Sequence, residues 1–238
     1  ECARPIKLRL KVVDAEKPLT LFTNRYKTVN NSYKFFVRLP MTPKTLDIQL
    51  SDDDGSDITN SVRVLNIEKY GLEKRMDEVD FNSYSVGAFV DFAQRFSFNA
   101  SYLSPNTYES ELQDYRIEYL PTIVNQNGRE LQTPARINKS TGRIQVSKKL
   151  FNDYTVPMRM AILLHEFAHF YLNENIDDET EADLNGLLIY LGLGYPRIDG
   201  YEAFLQVFET TPTPQNKNRY DIINNFITSF DNKKFVMY

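Results

Sequence analysis

Two histidines, His165 and His169, are the residues of this chain whose type and spacing most clearly suggest chemistry, and the sequence contains no other histidine. Glu166 follows the first of them, so the segment has the pattern His-Glu-x-x-His. On an α-helix, residues four apart share one face and lie about 6 Å apart along the axis, so both imidazoles could reach one metal ion. Glu166 lies about 100° round the helix from His165, close enough to act on a water molecule at the metal without being a ligand. The spacing therefore predicts a metal site with an adjacent general base.

The residues around this pattern predict a buried helix, because they are apolar on all sides. They are Ala161, Ile162, Leu163, Leu164, Phe167, Phe170 and Leu172. The alternative is a pair of core histidines hydrogen-bonded to their neighbours. The chance that two histidines fall four residues apart with glutamate in this position is on the order of one in a thousand, which favours the metal site.

A third protein ligand is expected because a catalytic zinc site commonly has three and leaves a fourth position open. The next predicted helix begins Asp178-Glu179-Thr180-Glu181-Ala182-Asp183. If the two helices pack antiparallel, Glu179 lies level with His169, and Asp183 lies level with His165. Glu179 is then the third ligand, and Asp183 accepts a hydrogen bond from the other ring nitrogen of a ligand histidine.

The combination of H-E-x-x-H with E-x-x-A-D resembles the gluzincin group of zinc metallopeptidases, over about Ser83 to Leu193. The resemblance implies that His165, His169 and Glu179 bind Zn²⁺, that Glu166 is the general base, and that a protein or peptide is the substrate. Only nine residues separate His169 from Glu179, a shorter gap than in many members. Glu181 therefore remains an alternative ligand, although it points about 200° away from Glu179 round the helix.

A looser resemblance concerns the segments LLHEFAHFYLN and EADLNGLLIYLGLGYP. They are similar to metallopeptidase-like proteins of crAss-like tailed bacteriophages. This resemblance implies a virion-associated protein that docks on phage structural proteins through its N-terminal domain. The alternative function is then a structural or virion-assembly protein, in which zinc stabilises a metallopeptidase-like domain of little activity.

The expected hydrolysis also needs a hydrogen-bond donor for the developing oxyanion. Tyr190, Tyr195 and Arg197 are candidates, although the chain has 15 tyrosines and packing is the simpler interpretation of each. An extended substrate could add to an exposed sheet edge, for which Thr133–Asn138 and Arg143–Ser147 are the candidate strands.

The N-terminal part of the chain predicts β-structure, because apolar and polar residues alternate there from about Pro5 to Lys69. The expected strands are Ile6–Val12, Thr20–Phe22, Tyr33–Leu39, Thr45–Leu50 and Val62–Ile67. Short strands at this spacing favour an immunoglobulin-like β-sandwich. We expect it to form a docking domain over residues 1–72.

The remaining residues, 73–238, predict a compact zincin-like domain of a helix, a small sheet and further helices. A helix is expected at Ser83–Phe96, followed by strands at Tyr115–Leu120, Thr133–Asn138 and Arg143–Ser147. Further helices are expected at Met158–Asn173, Asp178–Leu191, Asp199–Glu209 and Arg219–Phe230. The predicted fold class is therefore α+β, with the β-sandwich first.

The composition excludes a wholly disordered, a collagenous and a coiled-coil protein. The chain has 238 residues, 42% of them hydrophobic and 25% charged, which is typical of globular domains. The net charge of −4 gives no reason to expect nucleic acid as a partner, and no apolar run is long enough for a membrane span. Cys2 is the single cysteine, so no internal disulfide is expected. The chain begins with Glu1, which suggests that an upstream segment was removed.

Overall fold

The computed structural model describes residues 5–56, 58–72, 84–210 and 212–230. The chain divides into two compact units, Glu1–Glu73 and Lys74–Tyr238, and each has a hydrophobic cluster of its own. Cys2 and Ser83 lie outside the described residues. None of the helices in the described ranges combines the length and apolarity needed to cross a membrane.

The first unit contains a three-stranded antiparallel sheet of β1 (Ile6–Asp14), β2 (Leu21–Val29) and β3 (Leu46–Asp52), in the order β2-β1-β3. Leu8, Leu10 and Val12 of the central strand are buried, whereas the lysine and arginine between them are not. Leu8 packs with Val29 and Ile58 in the core of this unit. The alternation of the sequence thus determines which face of the strand is covered.

Two of the five expected strands are wrong, because Tyr33–Leu39 and Val62–Ile67 contain no strand, and the described residues of this unit form one three-stranded sheet. Burial nevertheless alternates in the first of these segments, where Phe35 packs on the core and Phe36 is exposed. Val62 also packs against this core. A period of two therefore predicted one-sided burial correctly, but it contains no information on whether a partner strand is present.

The described residues of the second unit form six α-helices and a four-stranded sheet, so the predicted α+β class is confirmed. In chain order its elements are α1 (Tyr84–Asn99), a 3₁₀ turn (Ala100–Tyr102), β4 (Asn106–Glu109), β5 (Arg116–Leu120), β6 (Ala135–Ile137), β7 (Ile144–Ser147), α2 (Lys148–Phe151), α3 (Val156–Tyr171), α4 (Glu179–Gly192), α5 (Arg197–Thr210) and α6 (Pro214–Ser229).

The sheet of this unit has the order β4-β5-β7-β6. The central pair β5 and β7 is parallel, and the two outer pairs are antiparallel. β6 is therefore an edge strand, and it contacts α3. This arrangement places the outer edge of the sheet, as formed by the described residues, beside the helix that contains both histidines.

Helix α3 lies in the middle of the core, as its apolar sequence predicted. Its side chains are buried almost throughout, and Phe167 stacks between Phe89 of α1 and Tyr171, with ring centroids 4.2 and 4.7 Å apart. A helix packed on so many sides is held in position firmly. The histidines of α3 therefore project from a rigid support.

Candidate metal centre

Hydrogen-bonded caps fix the start of both helices that form the site. The side chain of Thr155 accepts a hydrogen bond from the backbone N–H of Met158 at the start of α3. The carboxylate of Asp178 accepts from the N–H groups of Thr180 and Glu181 at the start of α4. Because Asp178 is the cap, Glu179 is the first residue of its helix and faces the later turns of α3.

Three side chains converge at this point. The Nε2 atoms of His165 and His169 are 3.2 Å apart. Glu179 Oε1 lies 3.5 Å from Nε2 of His169, and its Oε2 lies 3.6 Å from Nε2 of His165. Among the described residues this is the group of histidine and acidic side chains whose ligand atoms lie close enough for one metal ion, all within 4.8 Å of one another.

The opposite ring nitrogens are held by acceptors. Nδ1 of His169 lies 2.8 Å from the carbonyl oxygen of Ile176, which can only accept, so this nitrogen carries the proton. Nδ1 of His165 is buried and lies 2.9 Å from Oδ1 of Asp183, although its N–H direction deviates from good hydrogen-bond geometry. Asp183 therefore lies where the sequence placed it, beside the ring of His165.

These contacts test whether the site fits a metal ion. With protons on both Nδ1 atoms, neutral histidines direct the lone pairs of Nε2 towards each other and towards the Glu179 carboxylate. Such a convergence of lone pairs and negative charge favours a positive charge between them, either a metal ion or a proton on His165, whose pKa is raised to about 10 despite burial by its contacts with Asp183 and Glu179. Two imidazole nitrogens and one carboxylate are also a ligand set that zinc commonly takes in catalytic sites. The residues present therefore fit a divalent cation.

Glu166 lies next to this cluster and is nearly buried, with 9% of its surface exposed. Its Oε2 accepts a hydrogen bond of 2.7 Å from the backbone N–H of Ile137 on β6. Burial raises the pKa of Glu166, while the two histidines and this backbone bond act to lower it. The sheet edge thus fixes the carboxylate of the expected general base.

Arg219 on α6 also belongs to the site and is an addition to the residues predicted from the sequence. Its Nε and Nη2 donate to both carboxylate oxygens of Asp183, at 2.7 and 2.9 Å, and Nη2 lies 3.2 Å from Oε2 of Glu179. The sequence does contain a signal for it, because Arg219, Ile223 and Ile227 form one buried stripe at helical spacing. An arginine in such a stripe predicts a buried acidic partner.

The alternative third ligand and the candidate oxyanion donors that the sequence suggested are not part of this group of side chains. The carboxylate of Glu181 accepts from the backbone N–H groups of Glu174 and Asn175 in the loop before α4, outside the metal cluster. Tyr190 is fully buried, and its hydroxyl donates to the carbonyl of Pro196. Tyr195 is buried too, and with Arg197 and Tyr190 it is absent from the lining of the cleft.

A cleft of about 240 Å³ opens on the cluster. Its apolar wall is formed by Ile162, Ala203, Phe204, Val207 and Phe208. The ring of Phe204 lies 5.9 Å from that of His165, so this wall flanks the His165 side of the site. Residues of the edge strand β6 and the turn after it, including Ile137 and Lys139, also line the cleft.

No family model, curated protein or solved structure matches this chain. The resemblances to zinc metallopeptidases and to phage proteins therefore remain predictions. The geometry of His165, His169 and Glu179 is the observation on which any functional conclusion depends.

Proposed function

We propose that this chain is a zinc-dependent peptidase in which His165, His169 and Glu179 hold the metal and Glu166 is the general base. The observation that supports this best is the convergence of two Nε2 atoms and one carboxylate beside a second, nearly buried carboxylate. Three ligands alone would suffice to bind a metal for stability. The additional carboxylate of Glu166 is what a hydrolytic reaction requires.

The proposed ligands would leave one coordination position open, as in catalytic zinc sites. When bound, zinc supplies a Lewis acid that polarises a scissile carbonyl and makes water easier to deprotonate. Asp183 holds the ring of His165, and Arg219 holds both Asp183 and Glu179, so the ligands are oriented before any substrate arrives.

Glu166 would accept the proton from the attacking water and deliver it to the leaving amine. The Ile137 amide binds one of its two oxygens and keeps the carboxylate oriented. The other oxygen remains to take the proton. Because burial raises its pKa, this carboxylate is more basic than an exposed glutamate, which favours proton acceptance.

An extended peptide is the substrate class that best suits the surroundings. The ladder bonds between β6 and β7 involve Pro134 and Asn138, so the backbone groups of Ala135 and Ile137 point away from β7. Glu166 binds the Ile137 N–H, and the Thr133 hydroxyl donates to the Ala135 carbonyl. A peptide would therefore pair through the Ala135 N–H and the Ile137 carbonyl and direct one side chain at the apolar wall of the cleft.

The test is the Glu166→Gln variant, which keeps the shape and removes the base. The zinc-loaded natural chain should hydrolyse members of a peptide library, and the variant should retain zinc while the rate falls by about 100-fold to 10,000-fold. Glu130→Gln, at an exposed ion pair with Lys149, is the control and should leave the rate unchanged. Zinc content and hydrolysis are measured on the same samples. An unchanged rate in Glu166→Gln, or no hydrolysis by the zinc-loaded natural chain, would contradict the proposal.

A further inference from the structure

Lys139 places a positive charge at one end of the cleft. It lies in the turn that follows β6, and its Nζ is 2.7 Å from Oδ1 of Asp177. Asp177 follows Ile176, whose carbonyl oxygen binds the ring of His169. The Lys139–Asp177 pair therefore marks the His169 end of the site, and Lys139 itself lines the cleft.

This ion pair is easily exchanged. The side chain of Asp177 is 76% exposed and that of Lys139 is 37% exposed, so water screens their attraction. Such surface pairs contribute about 1 kcal/mol or less. A carboxylate from a bound molecule could therefore replace Asp177 at little cost.

The other cations that line the cleft are more firmly engaged. Arg219 is bound by both oxygens of Asp183 and by Glu179. Arg136 donates to the side chain of Gln145 and to the carbonyl of Val124. Among the described cleft residues, Lys139 is thus the cation whose partner is easiest to displace.

The two ends of the cleft consequently differ in chemistry. The His165 end has the apolar wall, with Arg219 over the ring of Phe208 but bound by Asp183, and the His169 end has Lys139, with the candidate metal ligands between them. We propose that the chain selects peptides with an apolar residue on one side of the scissile bond and an acidic residue on the other. Lys139 is the residue that selects the acid. This inference rests on the proposed peptidase function.

The experiment measures binding rather than turnover. The Glu166→Gln variant serves as the background, so that peptides stay intact. Fluorescence anisotropy follows the binding of three labelled peptides that share a central phenylalanine and carry glutamate, glutamine or lysine at the flanking positions. At low ionic strength the glutamate peptide should bind about fivefold more tightly than the glutamine peptide, and the lysine peptide should bind least.

Charge reversal supplies the decisive comparison. Adding Lys139→Glu should reverse the order of the three peptides, whereas Lys149→Glu, at a similar surface ion pair outside the cleft lining, should keep it. Asp177→Asn should strengthen binding of the glutamate peptide alone, because it removes the competing carboxylate. Equal binding of the three peptides, no binding of any, or an order that survives Lys139→Glu would overturn the proposal.

Hydrolysis of the same peptides by the zinc-loaded natural chain separates the two proposals. Glutamate-selective binding without hydrolysis of any peptide contradicts the peptidase and keeps the role of Lys139 in binding. Hydrolysis without selective binding keeps the peptidase and removes the role of Lys139.

Discussion

Glu179 is the acidic residue that completes the candidate metal site with His165 and His169, and Glu181 is not part of it. The carboxylate of Glu179 lies within 3.6 Å of both histidine Nε2 atoms, whereas the carboxylate of Glu181 accepts a backbone hydrogen bond from the loop before α4. The two adjacent histidine rings favour the charged form of Glu179 and lower the pKa of its carboxylate, so this side chain is negatively charged at neutral pH. A charged ligand is what a divalent cation needs here.

We therefore predict opposite results for two adjacent glutamate variants. Glu179→Gln should weaken zinc affinity by more than about 100-fold, because a neutral amide replaces a ligand. Glu181→Gln should leave the affinity unchanged. Competition with a chromophoric chelator measures both. Loss of zinc from Glu181→Gln with retention by Glu179→Gln would show that the ligand is assigned to the wrong residue.

At the residue scale, the spacing of residues in the sequence indicates which side chains lie close together, provided that they belong to one helix or to two consecutive helices. The four-residue steps in α3 and α4 place His165, His169, Glu179 and Asp183 together because helical geometry converts spacing into distance. Arg219 could not be placed in this way. It follows Asp183 by 36 residues on a separate helix, and local periodicity does not determine which distant helices touch.

At the scale of elements, Gly186 sets the distance between α3 and α4. A Cβ atom at this position would lie 2.9 Å from the backbone nitrogen of His165 and 3.0 Å from its Cα. Backbone cannot move aside as the end of a side chain can, so any larger residue must push the helices apart. Glu179 and Asp183 would then move away from the histidines.

Gly186→Ala should accordingly lower the free energy of unfolding by about 1–3 kcal/mol and weaken zinc affinity by about tenfold. Denaturant unfolding and chelator competition measure the two effects. Gly87→Ala in α1 is the matched control, because a Cβ there has no neighbour within 4 Å. It should stabilise the chain by up to about 1 kcal/mol without altering zinc affinity. Equal behaviour of the two variants would contradict the close contact.

Arg159 joins three elements, and none of its partners among the described residues is acidic. Its guanidinium is fully buried and donates to the carbonyls of Phe151 and Ser97 and to the hydroxyl of Ser101. Helix α3 is thereby tied to the end of α2, to the last turns of α1 and to the 3₁₀ turn that follows it. Carbonyls near helix ends carry partial negative charge, which explains how they accommodate a buried cation.

Arg159→Met should therefore lower the free energy of unfolding by about 3 kcal/mol, since the buried acceptors lose their donors. Arg95→Met is the control, because Arg95 forms an exposed pair with Glu111 and its loss should cost less than about 1 kcal/mol. Equilibrium unfolding in urea compares the two. Similar losses would show that the buried hydrogen bonds contribute little.

The five longer helices were predictable from their period of 3.6, whereas the single-turn helix α2 was not predicted, and the strands were predictable less often. Asn106–Glu109 forms β4, yet it has no apolar alternation, because it is a polar edge strand with exposed residues. Tyr33–Leu39 and Val62–Ile67 have the strand pattern and are not strands. Pairing depends on a second segment, whereas helical hydrogen bonds are local.

At the scale of the whole molecule, the α+β class follows from the order of the patterns, but the topology of the second sheet does not. β5 pairs in parallel with β7, and β6 lies outside this pair. That order brings β6 to the edge beside α3, where Ile137 reaches Glu166. Two candidate edge strands were predicted from the sequence. The pairing of strands that are distant in the chain determines which of the two lies at the edge.

The packing of the second unit around buried tyrosines predicts how the protein responds to alkali. Burial raises the pKa of Tyr119 from 10.0 to about 12, and burial also raises the pKa of Tyr154 and Tyr195. Below pH 10 these phenols keep their protons in both the folded and the unfolded chain, so they cause no change in stability with pH. Between pH 10 and about 12 the unfolded chain releases these protons and the folded chain retains them. The free energy of unfolding should therefore fall as pH rises through this range.

Urea unfolding at successive pH values from about 8 to about 11 measures this decline. Tyr119→Phe is the matched control, because it keeps the ring and removes the ionisable group. At neutral pH the variant should be less stable by about 1 kcal/mol, since the hydroxyl donates to the carbonyl of Ala100. Above pH 10 the two proteins should approach each other, because only the natural chain still has this phenol to ionise on unfolding. A constant difference across the whole range would mean that Tyr119 ionises as readily in the folded chain as in water, and that its surroundings are not dry.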